Sequence, residues 1–337
     1  MKILLTTPRG FCAGVEMAIE SVERALELFG TPLYVYHEIV HNKHVVDGFR
    51  RRGVVFVEQI ESVPEGSYLL YSAHGVAPLV RDAARRRNLR TIDATCPLVT
   101  KVHREAQRFV RQDYTIILIG HRDHDETVGT MGEAEDRTLL IENVEDVDRL
   151  DVPDPNRLAY LTQTTLSIDD AARIIRRLKQ RFPAIVGPAS EDICFATQNR
   201  QTAVKTYLHE ADVVLVVGSQ NSSNSNRLAE IAREAGKAAH LIDSAAEMDL
   251  AWFRGHETVL LTAGASAPES AVAACVDLLT ARFAAQVEQR SLLDEKAKFA
   301  LPVELTELSA ATRGTTAPPF GADAGAAVET SCAPRDR

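Results

Sequence analysis

The sequence has no long hydrophobic run, and this absence excludes two classes of protein. No apolar segment approaches the roughly 20 residues that a transmembrane helix requires. The first residues hold only a short strand-like run before polar turn residues, which is too little for the hydrophobic region of a signal peptide. We therefore predict a cytoplasmic protein without a membrane-bound segment.

The sequence also has no excess of basic charge. Its 337 residues contain 38 Lys and Arg against 47 Asp and Glu, which gives a net charge of −9. A surface of this sign does not attract a phosphate backbone, so general nucleic-acid binding is excluded. The 45% of hydrophobic residues is ordinary for a globular protein, and the length corresponds to two or three domains.

Cysteine is scarce and widely spaced. The five cysteines form no CxxC or CxxxC pair, and in a cytosolic chain disulfides are not expected. Cys275 falls on the apolar stripe of a predicted helix, where we interpret it as a small buried side chain. Cys332 lies in Ala311–Arg337, in which 18 of 27 residues are Ala, Gly, Pro, Ser or Thr. Such a composition buries too little apolar surface to fold.

A threefold repeat is present instead. Strand-like and helix-like segments alternate along the chain, which predicts an α/β fold with parallel sheets. Cys12, Cys96 and Cys194 each stand between a strand or turn and a helix, at steps of 84 and 98 residues. We interpret these segments as three divergent copies of one α/β unit. The predicted divisions are 1–94, 95–190 and 191–306, followed by a disordered tail at 307–337.

The repeated cysteines predict a metal centre. Ligands of α/β proteins bind beyond the carboxyl ends of the parallel strands, and the start of a helix favours the thiolate form of a cysteine. Three units around one axis would bring three thiolates together, and this donor set suits an iron–sulfur cluster or zinc. A cluster with three protein ligands keeps one iron open. The alternative, three scattered free cysteines, does not explain their shared context.

Polar side chains follow strands in all three units. They are His41, His74, His124, Ser222, Ser223, Asn224 and Ser266. Imidazole, hydroxyl and amide groups, together with exposed backbone N–H groups, bind phosphate oxygens. Helix caps are the alternative for the Ser- and Asn-rich loop, but three such clusters favour one shared pocket. No role is assigned to His37, His44, His103 or His121.

A pocket that joins an anion site to a metal centre also needs a proton source. Glu126 and Asp125 both lie in a predicted loop after His124, and the pattern alone does not choose between them. An ordinary solvated carboxylate is the alternative for either residue. Thr164 could orient such a carboxyl group through its hydroxyl, or it could cap the helix that follows.

These residues lie in motifs that resemble one enzyme family. PRGFCAGV, HEIVHN, SAHGV, DATCPLV, TQTTLS, EDICFATQNRQ, GSQNSSNS and TAGASAP are similar to motifs of the 4-hydroxy-3-methylbut-2-enyl diphosphate reductases. The resemblance runs from Met1 to residue 305. It implies a trefoil of three similar α/β domains around a central 4Fe–4S cluster, with the three repeated cysteines as its ligands. It also implies that the seven polar residues hold a diphosphate, that Glu126 donates protons, and that Thr164 lies near the substrate hydroxyl.

The resemblance further implies an activity. This is the reductive dehydroxylation of (E)-4-hydroxy-3-methylbut-2-enyl diphosphate to isopentenyl diphosphate and dimethylallyl diphosphate, the last step of the methylerythritol phosphate pathway. Two electrons would arrive from ferredoxin or flavodoxin. Since these carriers are typically acidic, Arg50–Arg52 and Arg85–Arg87 are candidate docking patches on this acidic chain, with solvated helix faces as the alternative. One motif departs from the family pattern, because Asp125 stands where the family usually has proline.

Two other functions fit the cysteines alone. A lyase similar to quinolinate synthase, another trefoil iron–sulfur enzyme, also carries one cysteine in each of three domains. A non-catalytic iron–sulfur redox sensor would need neither a proton donor nor a pocket for a polyanion. The set of Ser, Asn and His side chains favours the reductase over both.

Overall fold

In the computed structural model, which describes residues 1–306, twelve strands form three sheets. Every strand pair in them is parallel, so the predicted α/β fold class is confirmed. No helix of this part of the chain has both the length and the apolarity to cross a bilayer. The predicted disordered tail at 307–337, with Cys332, lies outside the described residues.

The first sheet has the strand order β3–β2–β4–β5. Its strands are β2 (Leu33–Tyr36), β3 (Val54–Val57), β4 (Tyr68–Tyr71) and β5 (Arg90–Asp93). Its helices are α1 (Ala13–Phe29), α2 (Lys43–Arg51) and α3 (Pro78–Arg86). Apolar residues of α1 and α2 pack on one face of the sheet and those of α3 on the other, so the strands are covered on both sides.

The second sheet has the order β7–β6–β8, and all five residues of its central strand are buried. Its strands are β6 (Thr115–Ile119), β7 (Thr138–Ile141) and β8 (Leu158–Thr162). The accompanying helices are α4 (Pro97–Arg111), α5 (Asp125–Gly132), α6 (Val144–Arg149) and α7 (Ile168–Arg181). Helices α4 and α7 pack on opposite faces of β6.

The third sheet has the order β10–β9–β11–β1–β12 and includes the first strand of the chain. Its strands are β1 (Lys2–Thr7), β9 (Val213–Val217), β10 (Ala238–Ile242), β11 (Thr258–Ala263) and β12 (Gln286–Ser291). Its helices are α8 (Phe195–Tyr207), α9 (Ser223–Glu234) and α10 (Glu269–Phe283). Cys275 of α10 is fully buried, as interpreted from the sequence. Strand β1 pairs with β11 and β12, so the third sheet combines segments from the beginning and the end of the described chain. A sheet need not follow one stretch of chain, and the predicted chain divisions stay a prediction.

Four strands were not predicted, namely β5, β7, β10 and β12, and each is at the edge of its sheet. An edge strand pairs on one side only and tolerates polar residues, so its hydrophobic pattern is weak. Strand β12, with the sequence QVEQRS, has no fully buried residue. Helices α2, α5 and α6 were also missed, because α2 and α5 contain glycine and α6 has only six residues.

Arg200 is the largest fully buried side chain of the described residues and joins three parts of the chain. From α8, its Nη2 donates to the carbonyl oxygen of Gly10 at 2.7 Å, and its Nη1 donates to the carboxylate of Glu295 at 3.0 Å. Arg200 therefore ties the loop that leads to Cys12 onto the helix that follows Cys194.

We expect Arg200→Met to destabilise the protein strongly. Methionine replaces much of the apolar volume but leaves the Gly10 carbonyl and the Glu295 carboxylate without their donor, and losing one partner of a buried pair costs about 3–5 kcal/mol. Thermal unfolding followed by circular dichroism measures the effect. Arg173→Met, which removes an exposed ion pair with Asp170, is the control and should leave the melting temperature nearly unchanged. Equal melting temperatures of the two variants would contradict the stabilising role of Arg200.

Candidate functional site

A cavity of about 90 Å³ lies where the carboxyl ends of strands from all three sheets meet. Every site residue predicted from the sequence lines it. They are Cys12, His41, His74, Cys96, His124, Glu126, Thr164, Cys194, Ser222, Ser223, Asn224 and Ser266. The structure therefore brings the predicted residues of three units together, while the roles assigned to them stay predictions.

Five of the lining residues are N-cap residues of helices. Cys12, Cys96, His124, Cys194 and Ser222 precede α1, α4, α5, α8 and α9. The start of a helix carries unpaired N–H groups and a partial positive charge of about half an elementary charge. Five such helix starts around one cavity make it favourable for an anion.

The three repeated cysteines are anchored in the same way. Each backbone N–H donates to a carbonyl oxygen just beyond the end of a strand. The acceptors and N···O distances are Ala265 (3.1 Å) for Cys12, Ala73 (3.0 Å) for Cys96 and Thr164 (3.2 Å) for Cys194. Equivalent positions in the three units thus have equivalent backbone contacts, which supports the interpretation of a repeat.

Gly14 allows helix α1 to come close to a thiol of another unit. A Cβ atom at this position would lie 2.6 Å from the Sγ of Cys96 and 4.0 Å from the Sγ of Cys12. Any side chain would displace the Cys96 sulfur. The two sulfur atoms therefore lie within 4.0 Å of one point beside α1. Sequence reasoning did not single out Gly14, since its significance depends on a contact between distant segments.

Burial keeps two thiols of this site, those of Cys96 and Cys194, neutral in the absence of a metal. Burial and the neighbouring Cys12 raise the pKa of Cys96 to about 12 and that of Cys194 to about 11. A helix start is expected to lower the pKa of a thiol, but at both residues burial outweighs that effect. A bound metal cation reverses this balance, because it coordinates the thiolate. Three sulfur donors around one cavity fit an iron–sulfur cluster.

Glu126, near the start of α5, is a buried carboxyl group with two hydrogen bonds. The residue is 2% exposed. The backbone N–H of Thr164 donates to Oε1 at 2.6 Å and the Thr164 hydroxyl donates to Oε2 at 2.9 Å. Burial raises the pKa of Glu126 to about 7, although both hydrogen bonds act in the opposite direction. A carboxyl group with such a pKa can hold and release a proton near neutral pH.

Asp125, the other candidate, has a different environment. Its Oδ1 lies 2.6 Å from Nδ1 of His37, which follows β2 in the first unit. Burial works to raise the pKa of Asp125, but the hydrogen bond and charge of His37 and the nearby His41 and His124 bring it below its ordinary value. Asp125 is therefore an ionised acceptor, and the geometry favours Glu126 as the proton source. Sequence reasoning assigned no role to His37.

The three lining histidines form one group. The rings of His41 and His74 stack at 3.9 Å between centroids, and His124 meets both edge-on. Burial, and then the neighbouring His41, lowers the pKa of His74 well below its ordinary value and that of His124 to about 3. Nδ1 of His124 accepts a hydrogen bond from the Glu126 N–H at 3.1 Å, so its Nε2 carries the proton.

His41, His74 and Asp125 also stand close enough to be considered as metal ligands. Oδ2 of Asp125 lies 3.9 Å from Nε2 of His41 and 3.8 Å from Nδ1 of His74. A histidine binds a metal through the lone pair in the plane of its ring. Because the two rings are stacked at an interplanar angle of 16°, one ion cannot lie in both ring planes. The arrangement is therefore better suited to hydrogen bonding than to a metal ion.

The third unit supplies hydroxyl and amide groups to the cavity. Ser222 caps α9, Ser223 begins that helix, and Oγ of Ser266 lies 3.4 Å from Oγ of Ser222. Oδ1 of Asn224 accepts the N–H of Ala265 at 2.8 Å, which fixes the amide. The buried Nδ2 of Asn224 has no hydrogen-bond partner among the described residues, so it can donate to a ligand.

We expect Glu126 to make stability depend on pH. Its pKa is about 7 in the folded protein against an ordinary 4.5, so the folded state keeps a proton that the unfolded chain loses. Its contribution is complete below pH 4.5 and is lost as the pH rises through 7. Glu126→Gln cannot ionise, so its stability relative to the wild type should rise between about pH 5 and pH 8, by roughly 3 kcal/mol.

Thermal unfolding at a series of pH values tests this prediction. Glu65→Gln, at an exposed turn, is the control and should follow the wild-type curve. A difference between Glu126→Gln and the wild type that stays constant with pH would show that the carboxyl group is not protonated near neutrality.

Known proteins are similar to this chain over most of its length. Residues 3–280 match the family model described as LytB protein. The 4-hydroxy-3-methylbut-2-enyl diphosphate reductase of Rhodopirellula baltica is 56% identical over 310 residues, which are 92% of this chain and 97% of that relative. The corresponding reductase of Nocardia farcinica is 54% identical over 305 residues, covering 90% of this chain and 91% of the relative.

Solved structures give the same result. The E-1-hydroxy-2-methyl-but-2-enyl-4-diphosphate reductase from Plasmodium falciparum matches with a TM-score of 0.90 at 41% identity, over 93% of this chain and 99% of that one. A structure of (E)-4-hydroxy-3-methyl-but-2-enyl diphosphate reductase, described as the terminal enzyme of the non-mevalonate pathway, matches with a TM-score of 0.60 at 29% identity, over 83% and 100% of the two chains. The resemblance in the motifs is thereby confirmed: this chain belongs to the LytB family, in which these relatives are 4-hydroxy-3-methylbut-2-enyl diphosphate reductases.

Proposed function

We propose that this chain reduces (E)-4-hydroxy-3-methylbut-2-enyl diphosphate to isopentenyl diphosphate and dimethylallyl diphosphate, the last step of the methylerythritol phosphate pathway. The reaction consumes two electrons and two protons and releases the substrate hydroxyl as water. One observation carries the proposal. The buried Glu126, with a pKa of about 7, lines the same small cavity as three thiols and a set of anion-binding groups.

Membership of the family supports an iron–sulfur cluster as the cofactor. We infer that it is a 4Fe–4S cluster held by Cys12, Cys96 and Cys194, with its fourth iron open to the substrate. When bound, such a cluster supplies electrons and a Lewis-acidic iron beside the substrate hydroxyl. The buried thiols support this inference, because they need a cation to become thiolates.

The diphosphate would be held by neutral groups and helix starts. No Lys or Arg is among the described residues that line the cavity. His74 and His124 are neutral because of burial, so they would act as N–H donors. The free amide N–H of Asn224, the hydroxyl of Ser222 and the first turn of α9 supply further donors. The Ser266 hydroxyl, which donates to the carbonyl oxygen of His41 at 2.9 Å in this structure, would turn to the substrate. A diphosphate fixed in this way holds the reacting carbon in place.

Glu126 would donate a proton to the departing hydroxyl. The carboxylate that remains keeps both hydrogen bonds from Thr164, so Thr164 stabilises the product of the proton transfer. The same two bonds hold the carboxyl group in one orientation. Burial favours the protonated form before the transfer, and the hydrogen bonds favour the ionised form after it.

An electron carrier is also required, and we propose ferredoxin or flavodoxin in this role. The candidate patches Arg50–Arg52 and Arg85–Arg87 are partly neutralised. The pairs are Arg50 with Asp47, Arg52 with Glu23 and Arg85 with Asp82. Either patch therefore presents less positive charge to an acidic carrier than the sequence suggests.

We expect Glu126→Gln to abolish most turnover while keeping iron and substrate binding. Glutamine has the same shape and accepts the Thr164 N–H, but it has no acidic proton, and general acid catalysis contributes about 10²–10⁴-fold. Anaerobic turnover with an artificial electron donor and product analysis measures the loss. Asp123→Asn, which changes an exposed carboxylate three residues away, should turn over at the wild-type rate. Unchanged turnover in Glu126→Gln would reject the proton-donor role.

The cluster ligands are tested by single substitutions with an internal control. We expect Cys12→Ser, Cys96→Ser and Cys194→Ser each to lose most bound iron and sulfide, because each removes one of three ligands. Cys275→Ala changes a cysteine that is buried in α10, away from the cavity, and should keep the cluster. Iron and sulfide analysis with the visible spectrum of anaerobically purified protein distinguishes the variants. A colourless wild type with stoichiometric zinc would refute the cluster.

A further inference from the structure

Asp125 occupies the first position of α5, where the family motif usually has proline. Proline at the first helical position fixes the start of a helix through its own ring and needs no partner. Aspartate has no such ring, and here its side chain makes a contact instead. Its partner is His37, which lies 88 residues earlier and directly follows β2 of the first sheet. The contact therefore joins the first sheet to the helix that carries Glu126.

His37 is held firmly in place. Its Nδ1 lies 2.6 Å from Oδ1 of Asp125, and its Nε2 lies 3.6 Å from Oε2 of Glu58. The ring stacks on Tyr36 at 4.1 Å between centroids. Its φ of 57° is in the left-handed region, which is unfavourable for a residue with a side chain and persists where the surroundings impose it. A hydrogen bond from its N–H to the carbonyl of Val57, at 2.9 Å, is part of those surroundings.

The charges around this contact favour an ion pair. The hydrogen bond to Asp125 is the main cause that raises the pKa of His37, burial opposes it, and the charge of Glu58 adds to the rise. Asp125 is ionised, as described above. The other titratable groups that face the pair are Tyr36, His41, His74 and His124. Since burial also raises the pKa of Tyr36, that side chain is uncharged beside the pair.

We propose that the His37–Asp125 ion pair is the positioning contact that fixes the start of α5, and with it Glu126 and His124, against the first unit. The pair takes the place of the proline found in the family motif. Both residues are positioning residues, because they act through α5 and not on the substrate. The effect on turnover rests on the proposed function, in which Glu126 is the proton donor.

The start of α5 is compatible with proline, which makes a direct exchange possible. His124, the preceding residue, has φ −82° and ψ 132°, the extended conformation that a following proline requires. The first N–H of a helix has no acceptor within the helix, so proline removes no helical hydrogen bond there. Asp125→Pro therefore replaces the ion pair by a rigid backbone.

A double-mutant cycle in the cluster-containing full chain tests the pairing. His37→Gln and Asp125→Asn should each lower turnover about tenfold at pH 7 with unchanged iron content, the scale of one charge-assisted hydrogen bond. The double variant should be no slower than either single variant. Asp125→Pro should recover most of the turnover that Asp125→Asn loses, and adding His37→Gln to it should have little effect. His209→Gln, at an exposed histidine, is the control.

Hydrogen exchange distinguishes positioning from general destabilisation. Amides of α5 should exchange faster in both single variants and return to the wild-type rate in Asp125→Pro, while those of the distant α10 should not change. This measurement needs no substrate. A wild type without turnover would therefore refute the proposed function and leave the positioning test intact.

The pH profile supplies a second readout. The ion pair is complete below the ordinary histidine pKa of about 6.5 and is lost as the pH rises through the raised pKa of His37. The ratio of wild-type turnover to that of His37→Gln should accordingly fall toward one at alkaline pH. Additive effects in the cycle, unchanged exchange in α5 or a ratio independent of pH would each overturn the proposal.

Discussion

The structure depends on one constraint, the meeting of five helix starts at the carboxyl ends of strands from three sheets. Parallel strands place their carboxyl ends at one edge, so the following helices begin there. The helix starts supply a positive potential although no Lys or Arg within residues 1–306 lines the cavity. Burial at this place then keeps the side chains neutral, so that two thiols and Glu126 stay protonated and His74 and His124 stay uncharged.

Most of the candidate site could be predicted because its signals are local. A cysteine between a strand and a helix, and a histidine or serine after an apolar run, are visible in short windows of sequence. The rule for strand ends then places such residues on one surface, and the structure brings all twelve around one cavity. The choice between Glu126 and Asp125 was different, because it depends on Thr164, which lies 38 residues further along the same unit, and on His37 of the first unit.

What could not be predicted depends on contacts between distant segments. The edge strands β5, β7, β10 and β12 have weak patterns because pairing, and not burial, holds them. Helix α5 contains Gly129 and Gly132, which read as loop residues, yet a Cβ at Gly132 would collide with that of Ala77. Gly132 therefore allows close packing of α5 on the start of α3. The strained His37 is likewise explained only by the side chains around it.

The position of β1 determines when the site can form during synthesis. This strand is made before the other eleven described strands, yet it lies between β11 and β12, and β12 ends at Ser291. The loop from β1 to Cys12 therefore cannot take its place until nearly all of the described chain has been made. Cys96 and Cys194 are synthesised in between, so the thiols already made stay separated until β12 has been added. The cavity is therefore completed late, after the closing of the third sheet, and an interrupted chain would lack it.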